Sequence, residues 1–387
     1  MKIGFVLDDR LDKPDGVQQY VKQVGTWLTV RGHDVHYLVG DSPAITDAKV
    51  HNMSRTVKVR FNKNRMEMPL PASKKAIRTL LESEQFDVLH VQMPYSPLLA
   101  GRVVAAAGPG TAVVGTFHIL PHGALSSAGT RLLSAWLHHN KKRFDAFLSV
   151  SSAAQSFAKS HFGITSVVMP NVVELSTYRK GRPLRQYADR FNIVFLGRLV
   201  TRKGAPYLLE AYNLLLQAHP DLATSTRLII CGDGPDRTVH EKTAEVIRSS
   251  HAAEIIFTGF LDEKDKPDYL ASANIAVFPS TGGEAFGIVL IEAMAARAGV
   301  VLAGDNPGYR SVLGILPGSM VTPRNSADFA SQLYKTISDT PAARKLYAAQ
   351  QQLVEQFDIN IVGKNIEAIY QDALAARRNK GDTKSNV

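Results

Sequence analysis

Strand-like and helix-like segments alternate twice along this chain, and this pattern limits the folds open to it. Short apolar runs begin the two series at KIGFVL, residues 2–7, and at FNIVFLG, residues 191–197. Apolar residues at helical spacing follow the first run, from Val17 to Leu28. Alternating β and α segments favour parallel sheets covered by helices. We therefore expect an α/β protein with two Rossmann-like, doubly wound domains facing a central cleft.

Length supports two domains, because 387 residues exceed what one hydrophobic core normally organises. The proline-rich and charged segment 171–190 is predicted to link a domain at 1–170 to a domain at 191–358. A helix at 359–376 is predicted to cross back to the first domain, and the polar residues 377–387 to form a disordered tail.

Composition indicates a cytoplasmic protein with an anionic partner. No apolar run reaches the eighteen or so residues of a transmembrane helix, and the first apolar run is too short for a signal sequence. The single cysteine, Cys231, excludes an internal disulfide and suits a reducing compartment. The 45 Lys and Arg residues outnumber the 35 Asp and Glu residues, which leaves a net charge of +10.

The stretch TGGEAFGIVLIEAMAA, residues 281–296, combines a glycine-rich loop, a helix start and two carboxylates. The backbone N–H groups of Phe286, Gly287 and Ile288 would form an anion site of the kind that suits phosphate. Glu284 and Glu292 would repel phosphate, so neutral hydroxyls are their expected partners. A nucleotide sugar carries both kinds of group. The alternative is that both glutamates only complement the helix dipole.

The stretch FLGRLVTRKG, residues 195–204, places cations directly after another strand. Arg198 and Lys203 are predicted to bind a diphosphate, with Arg202 as a candidate third cation. The alternative is an exposed basic loop.

The first half of the chain adds two candidates at the ends of strands. Gly16 lies where a loop enters the first helix and would allow close approach to a phosphate. His118 follows the strand AVVGTF and is either catalytic or structural. The sequence has no Ser-His-Asp order, Cys/His metal spacing or P-loop, so it gives little support to hydrolases, metalloenzymes or NTPases.

A local basic patch lies between Ser54 and Arg78, with eight basic residues and one acid. On a helix, Lys74, Lys75 and Arg78 would share one face, which suits anionic lipid head groups. A solvated helix face over the core is the alternative.

These motifs resemble those of retaining glycosyltransferases of family 4. GGEAFGIVLIEAMAA is similar to the family's E-x7-E motif, and FLGRLVTRKG to its Arg/Lys diphosphate motif. Within the family, FDVLHVQMPYSP, GTFHI and MPNVV resemble the phosphatidylinositol mannosyltransferases of actinobacterial type. The resemblance implies a GT-B fold and sugar transfer with retention of configuration and without a metal or other cofactor.

The resemblance also implies roles for individual residues. Glu284 would hold the transferred sugar and Glu292 the ribose, while Arg198, Lys203 and Gly16 would hold the diphosphate. His118 would lie at the sugar and the acceptor. The remaining positions would contact the base, at Leu261 and Lys266, and the inositol phosphate, at Gln18, Asn62 and Arg65.

Four features depart from the family pattern. Asp15 stands where a second glycine is usual, Asp8-Asp9 replaces a motif with an aromatic residue, and VQMP replaces a more acidic strand end. Arg297 stands where glycine is expected.

We therefore expect a peripheral enzyme at the inner face of the cell membrane that moves a hexose, mannose from GDP-mannose, to an inositol phospholipid or similar anionic lipid. Three alternatives remain open: a family 4 transferase with a soluble acceptor, a GT-B sugar-nucleotide epimerase, and a binding protein without catalysis. Nucleic acid is not expected as a partner.

Overall fold

The computed structural model describes residues 1–13, 15–42, 49–54, 56–61, 64–118 and 127–385. The chain divides into two compact units. The first unit contains Met1–Val172 and Ile359–Val387, and the second contains Val173–Asp358.

Parallel strands form the centre of the first unit. Its strands are β1 (Lys2–Leu7), β2 (Asp34–Gly40), β3 (Lys49–Ser54), β4 (Thr56–Phe61), β5 (Asn64–Pro69), β6 (Val88–Gln92), β7 (Ala112–Phe117), β8 (Ala146–Ser149) and β9 (Val167–Val168). Among the described strands, β4 and β5 pair as an antiparallel ribbon. The other seven form a parallel sheet in the order β3-β2-β1-β6-β7-β8-β9. The direction in which successive strands are added to the sheet changes between β1 and β6.

Helices cover both faces of this sheet. They are α1 (Gly16–Val30), α2 (Lys74–Glu84), α3 (Leu99–Ala106), α4 (Ser127–Asn140) and α5 (Ser152–Phe162). Alternate residues of β1 belong to different cores: Ile3 and Phe5 pack in the core that contains α1, and Val6 packs in the core that contains α2 and α3. Successive side chains of a strand point to opposite faces, so β1 is apolar on both.

The second unit repeats this plan with a smaller sheet. Its strands are β10 (Phe191–Leu196), β11 (Thr226–Cys231), β12 (Glu254–Gly259), β13 (Ile275–Phe278), β14 (Val300–Gly304) and β15 (Met320–Val321). They form a six-stranded parallel sheet in the order β12-β11-β10-β13-β14-β15, within the described part of the chain. This is the strand order of a dinucleotide-binding Rossmann sheet, with its switch point between β10 and β13.

The helices of the second unit also follow its strands. They are α6 (Leu175–Tyr178), α7 (Ala205–Ala218), α8 (Leu222–Ser225), α9 (Arg237–His251), α10 (Lys266–Ala271), α11 (Ile288–Ala295), α12 (Pro307–Leu313), α13 (Ser326–Ser338) and α14 (Thr340–Val354). The expected pair of doubly wound parallel-sheet domains is therefore confirmed.

The structure refines two boundaries. Residues 173–190, expected to be linker, belong to the second unit and include α6 and a short 3-10 helix at Arg185–Tyr187. The last helix, α15 (Ile359–Ser385), begins where the sequence predicted a helix but continues through residues 377–385 of the expected disordered tail.

Helix α15 belongs to the first unit, although the second unit separates it in the sequence. Val362 and Ile366 lie in the same core as Val24 of α1. A 2.6 Å hydrogen bond joins Tyr370 Oη to Nδ1 of His90 on β6, and both side chains are buried. The helix therefore completes one face of the first sheet.

Candidate active site

Two loops meet at the switch point of the second sheet. Strands β10 and β13 are neighbours, and the loops that follow them contain residues 197–204 and 279–287. The backbone N–H of Thr281 donates to the carbonyl of Arg202 at 2.9 Å and joins the loops. Doubly wound sheets bind ligands at this position, beyond the carboxyl ends of the strands.

The Glu284 carboxylate connects the two loops through hydrogen bonds. Its Oε1 accepts hydrogen bonds from Arg202 Nη1 and Ser280 Oγ, each at 2.8 Å. Lys203 Nζ lies 2.9 Å from Oε1 and donates to Oε2 at 3.1 Å. Burial raises the pKa of Glu284, but the charges of Lys203 and Arg202 outweigh burial and hold it below its ordinary value. Ionised Glu284 therefore forms ion pairs with both Lys203 and Arg202.

The start of α11 lies directly after this carboxylate. Gly287 precedes the helix with a φ of 109°, and a Cβ there would lie 2.6 Å from the buried Tyr309 ring, so the position requires glycine. Gly287 has no side chain to cap the helix, so the first backbone N–H groups of α11 have no side-chain acceptor from this position. The Phe286 side chain is buried, with its ring 5.5 Å edge-on from that of Phe357.

Glu292 lies one turn into α11 and is almost fully buried, at 3% exposure. Its Oε1 has no hydrogen-bond partner among the described residues. Burial raises the pKa of Glu292, opposed by the positive charge of Lys266 and by a hydrogen bond from Tyr178. Lys266 also pairs with Glu263 at 2.6 Å. Glu292 thus has one oxygen available to a hydroxyl donor.

The remaining donor-site candidates lie on the same edge of the sheet. Arg198 follows β10; its side chain is exposed and forms no ion pair with a described residue. Leu261 follows β12 and is 8% exposed. The structure thus brings Lys203, Arg202 and Glu284 into direct contact, whereas it records no contact between Arg198 and either carboxylate.

Two candidates in the first unit lie near the start of α1. Gly16 begins this helix, after Asp15, whose side chain makes no capping hydrogen bond. Gln18 is buried, and its Nε2 donates to the Arg10 carbonyl at 3.0 Å. In this structure Gln18 therefore holds the loop between β1 and α1.

His118 lies after β7 and is held by the end of the neighbouring strand. Its Nε2 lies 2.6 Å from Gln92 Oε1, and the Tyr20 ring packs edge-on at 5.0 Å. Burial lowers the pKa of His118 to about 3, so the imidazole is neutral at pH 7 and donates to the Gln92 amide oxygen.

Two of the residues that depart from the family pattern, Asp8 and Asp9, make polar contacts in the structure. The Asp8 carboxylate accepts a 2.8 Å hydrogen bond from the Ala100 N–H at the start of α3, and burial raises its pKa. Asp9 pairs with Lys13 at 2.8 Å. Arg297 adopts a φ of 58°, in the left-handed region that favours the expected glycine.

The last candidates lie in and beyond the β4–β5 ribbon. Asn62 lies outside the described residues, and Arg65 lies on β5, where the structure describes only the backbone. Lys74, Lys75 and Arg78 are exposed on α2, and Ile77 on the opposite side is buried.

Three residues that shape the site were not predicted from the sequence. Ser280 donates to Glu284, Tyr309 packs under Gly287, and Tyr178 binds Glu292. Ser280 and Tyr309 follow strands β13 and β14, so their position after a strand could have identified them as site residues. Tyr178 was assigned to the linker.

Comparison with known proteins identifies the family. The model described as Glycosyltransferase Family 4 matches residues 14–177, and the model described as Glycosyl transferases group 1 matches residues 180–353. The chain belongs to glycosyltransferase family 4. It is a hexosyltransferase, and its fold is GT-B.

Similar glycosyltransferases include named mannosyltransferases. The Phosphatidyl-myo-inositol mannosyltransferase of Mycolicibacterium smegmatis is 28% identical over 382 residues, which cover 97% of this chain and 95% of the relative. That of Mycobacterium tuberculosis is 29% identical, covering 96% of this chain and 97% of the relative. A Glycogen synthase of Mycobacterium tuberculosis is 26% identical, over 94% of this chain and 92% of the synthase.

Solved structures agree on the fold of this glycosyltransferase. One from Rickettsia africae superposes with a TM-score of 0.73 at 16% identity, covering 96% of this chain and 99% of that one. The Anabaena protein HepE in complex with UDP also superposes with a TM-score of 0.73, at 17% identity, covering 96% of this chain and 100% of that one. No helix in the described part of the transferase is both long and apolar enough to cross a membrane.

Proposed function

We propose that this glycosyltransferase moves a mannosyl group from GDP-mannose to an inositol phospholipid, with retention of configuration, at the inner face of the cell membrane. The observation that carries the proposal is the cluster of Glu284, Lys203 and Arg202 beside the uncapped start of α11. The names of relatives matched over nearly their whole length support mannose and inositol phospholipid as the two substrates.

The donor diphosphate would bind at the start of α11. Backbone N–H groups from Phe286 to Ile288 supply hydrogen bonds, and Arg198 and Lys203 supply charge. We assign Gly16 of the first unit to the same diphosphate. We propose that Arg198 and Lys203 neutralise the diphosphate without a metal.

The two glutamates would bind hydroxyls on either side of the diphosphate. Glu284 is ionised and can accept hydrogen bonds from the transferred sugar once the donor phosphates share its cations. The unpartnered Oε1 of Glu292 suits a ribose hydroxyl. We assign Leu261 and Lys266 to the base.

Transfer would break the bond between the anomeric carbon and the leaving phosphate oxygen and form a bond to the acceptor oxygen on the same face. The leaving phosphate takes the acceptor proton. Lys203, Arg198 and the α11 N–H groups stabilise the charge that develops on the diphosphate. We assign His118 to the sugar and the acceptor; because its Nε2–H donates to Gln92, the neutral ring offers Nδ1 as a hydrogen-bond acceptor.

The acceptor assignment rests on charge in the first unit. Lys74, Lys75 and Arg78 expose three cations on one helix, which suits an anionic lipid surface. We assign Gln18, Asn62 and Arg65 to the acceptor head group.

The test is a transfer assay with purified protein. GDP-mannose and vesicles of phosphatidylinositol should yield a mannosylated lipid by mass spectrometry, with an α linkage by NMR and in the presence of EDTA. Vesicles of neutral phosphatidylcholine are the control for the acceptor, and UDP-glucose is the control for the donor. Turnover of a nucleotide sugar without an acceptor would instead identify an epimerase, and transfer to a soluble acceptor alone would refute the lipid assignment.

A further inference from the structure

A cluster of two imidazoles and two carboxylates lies in the first unit, away from the strand ends that carry the proposed catalytic residues. His36 and Asp34 lie on β2, His51 lies on β3, and Glu84 ends α2. One ligand atom from each of His36, His51 and Glu84 lies within 4.8 Å of the others. Asp34 and His36 belong to the amino-terminal half of β2, whereas sugar transfer is assigned to the carboxyl ends of strands.

The two histidines point at each other through single nitrogen atoms. His36 Nδ1 lies 2.9 Å from His51 Nε2, and the two rings are parallel within 6°. Burial lowers the pKa of both imidazoles, so each is neutral at pH 7, and one of the two facing nitrogens donates its N–H to the other. A metal that takes both nitrogens as ligands displaces this proton. Two tetrahedral zinc ligands at the usual Zn–N distance lie about 3.4 Å apart, so the pair needs to open by only about 0.5 Å to admit an ion.

The other nitrogen of His36 already has the partner that metal-bound histidines require. His36 Nε2 lies 3.2 Å from Asp34 Oδ1, so its N–H points at a carboxylate and Nδ1 is left as the ligand atom. Such carboxylate–histidine contacts fix the tautomer and the ring orientation in metal sites. Glu84 offers a carboxylate oxygen as the third ligand, within 4.8 Å of a ligand atom of each histidine.

A lysine competes with a metal ion for the carboxylates of the cluster. Lys2 Nζ lies 2.7 Å from Glu84 Oε2 and 3.6 Å from Asp34 Oδ2, so it neutralises the carboxylates when no metal is bound. An ion that takes Glu84 as a ligand must displace this ammonium group. Lys2, together with Lys49, which pairs with Asp34 Oδ1, therefore lowers the affinity of the cluster for a metal.

We propose that His36, His51 and Glu84 form a binding site for a divalent transition metal of the zinc class, with Asp34 orienting His36. Two imidazole nitrogens select Zn²⁺, Co²⁺, Ni²⁺ or Cu²⁺ over Mg²⁺ and Ca²⁺, which prefer oxygen ligands. The site joins β2, β3 and α2. Metal binding would therefore stabilise this edge of the first sheet together with the helix that carries Lys74, Lys75 and Arg78.

The experiment titrates the full-length, metal-free protein with Zn²⁺ in calorimetry and with Co²⁺ in visible absorption. We expect one equivalent to bind, a d–d spectrum of nitrogen ligation for Co²⁺, and a higher melting temperature with Zn²⁺. Mg²⁺ should produce none of these effects.

Three variants separate the cluster from other histidines. His51→Gln should weaken Zn²⁺ binding at least about 100-fold, whereas His161→Gln, an exposed histidine on α5, should leave it unchanged. Lys2→Gln should tighten binding about fivefold or more, because it removes a competing cation close to the ion. Circular dichroism shows whether each variant is folded.

The proposal is overturned if Zn²⁺ binds His51→Gln as tightly as wild type, or if Lys2→Gln fails to tighten binding. Sugar transfer should proceed with or without the metal, so this result and that of the transfer assay are independent.

Discussion

Lys203 and Glu284 form an ion pair, with the ammonium nitrogen 2.9 Å from Glu284 Oε1, although they lie 81 residues apart in the sequence. From the sequence, the lysine is predicted to bind the diphosphate and the glutamate the transferred sugar. Under the proposed assignment, the donor would bind where these two charges already neutralise each other. Its phosphate would then become the partner of Lys203, which would leave the carboxylate to sugar hydroxyls.

Lys203→Ala should weaken the binding of free GDP. A hydrogen bond to a charged group contributes about 1.5–3 kcal/mol, so the Kd should rise roughly tenfold to a hundredfold. Isothermal calorimetry measures this, with Lys335→Ala, an exposed lysine on α13, as the control. Equal GDP affinity in Lys203→Ala and wild type would remove Lys203 from the diphosphate site.

Glu284→Ala should abolish sugar transfer while leaving GDP bound. The carboxylate is assigned to the sugar, and its removal frees Lys203 and Arg202 for phosphate, so the Kd for GDP should stay equal or fall. Transfer is measured with GDP-mannose and GDP affinity by calorimetry. Turnover at the wild-type rate would contradict the assignment.

Glu284 should also contribute stability that depends on pH. Its folded-state pKa is below the ordinary value of 4.5, so ionised Glu284 stabilises the fold above that pH, and this contribution is lost as the pH falls through the folded-state pKa. Glu284→Gln should lower the free energy of unfolding at pH 7 by about 1–3 kcal/mol. Urea unfolding from pH 7 to 3.5 should show this deficit shrinking below pH 4.5, whereas the exposed Glu210→Gln should show no such trend.

Glu292→Gln should have the opposite effect on stability. Burial raises the pKa of Glu292, so ionisation costs stability as the pH rises above 4.5. The variant should unfold at a higher temperature than wild type at pH 7. It should also bind GDP roughly tenfold to a hundredfold more weakly, because it loses a charged acceptor for a ribose hydroxyl. A lower melting temperature together with unchanged GDP affinity would refute both roles.

Replacing Lys74, Lys75 and Arg78 by Ser should weaken binding to anionic vesicles by roughly 3 kcal/mol, at about 1 kcal/mol for each charge. Donor affinity should not change, because none of these three residues is assigned to the donor. High salt should have the same effect on wild type, since the Debye length is about 3 Å at 1 M.

Vesicle co-sedimentation decides this prediction. The matched control replaces Lys335, Arg344 and Lys345, three exposed cations of the second unit, by Ser. If wild type and both triple variants sediment equally, the α2 cations form only a solvated surface, and a soluble acceptor becomes the better assignment.

Much of this site could be predicted because its residues follow strands. The carboxyl ends of parallel strands share one edge of a sheet, so the loop after β10 and the loop after β13 had to lie on the same side. The sequence could not show that these strands are neighbours, since β11 and β12 separate them along the chain. For that reason the contact of Glu284 with Lys203 and Arg202 was not foreseen.

Tyr178 was missed for a different reason. Helix α6 has only four residues, too few for apolar periodicity to appear, and it lies in a stretch rich in proline and charge. Its packing against α11 brings Tyr178 to Glu292. Interactions of this kind depend on tertiary structure and have no local signal.

The return of α15 to the first unit has a consequence for synthesis on the ribosome. The second unit is one uninterrupted segment, Val173–Asp358, so it can fold as soon as that segment has emerged. The first unit must wait for its last helix, and until then β6 lacks Tyr370 as the partner of His90. Although it is translated first, the amino-terminal unit would therefore be the last to mature, and an early stop codon after residue 358 would leave one face of its sheet covered only in part, by α1.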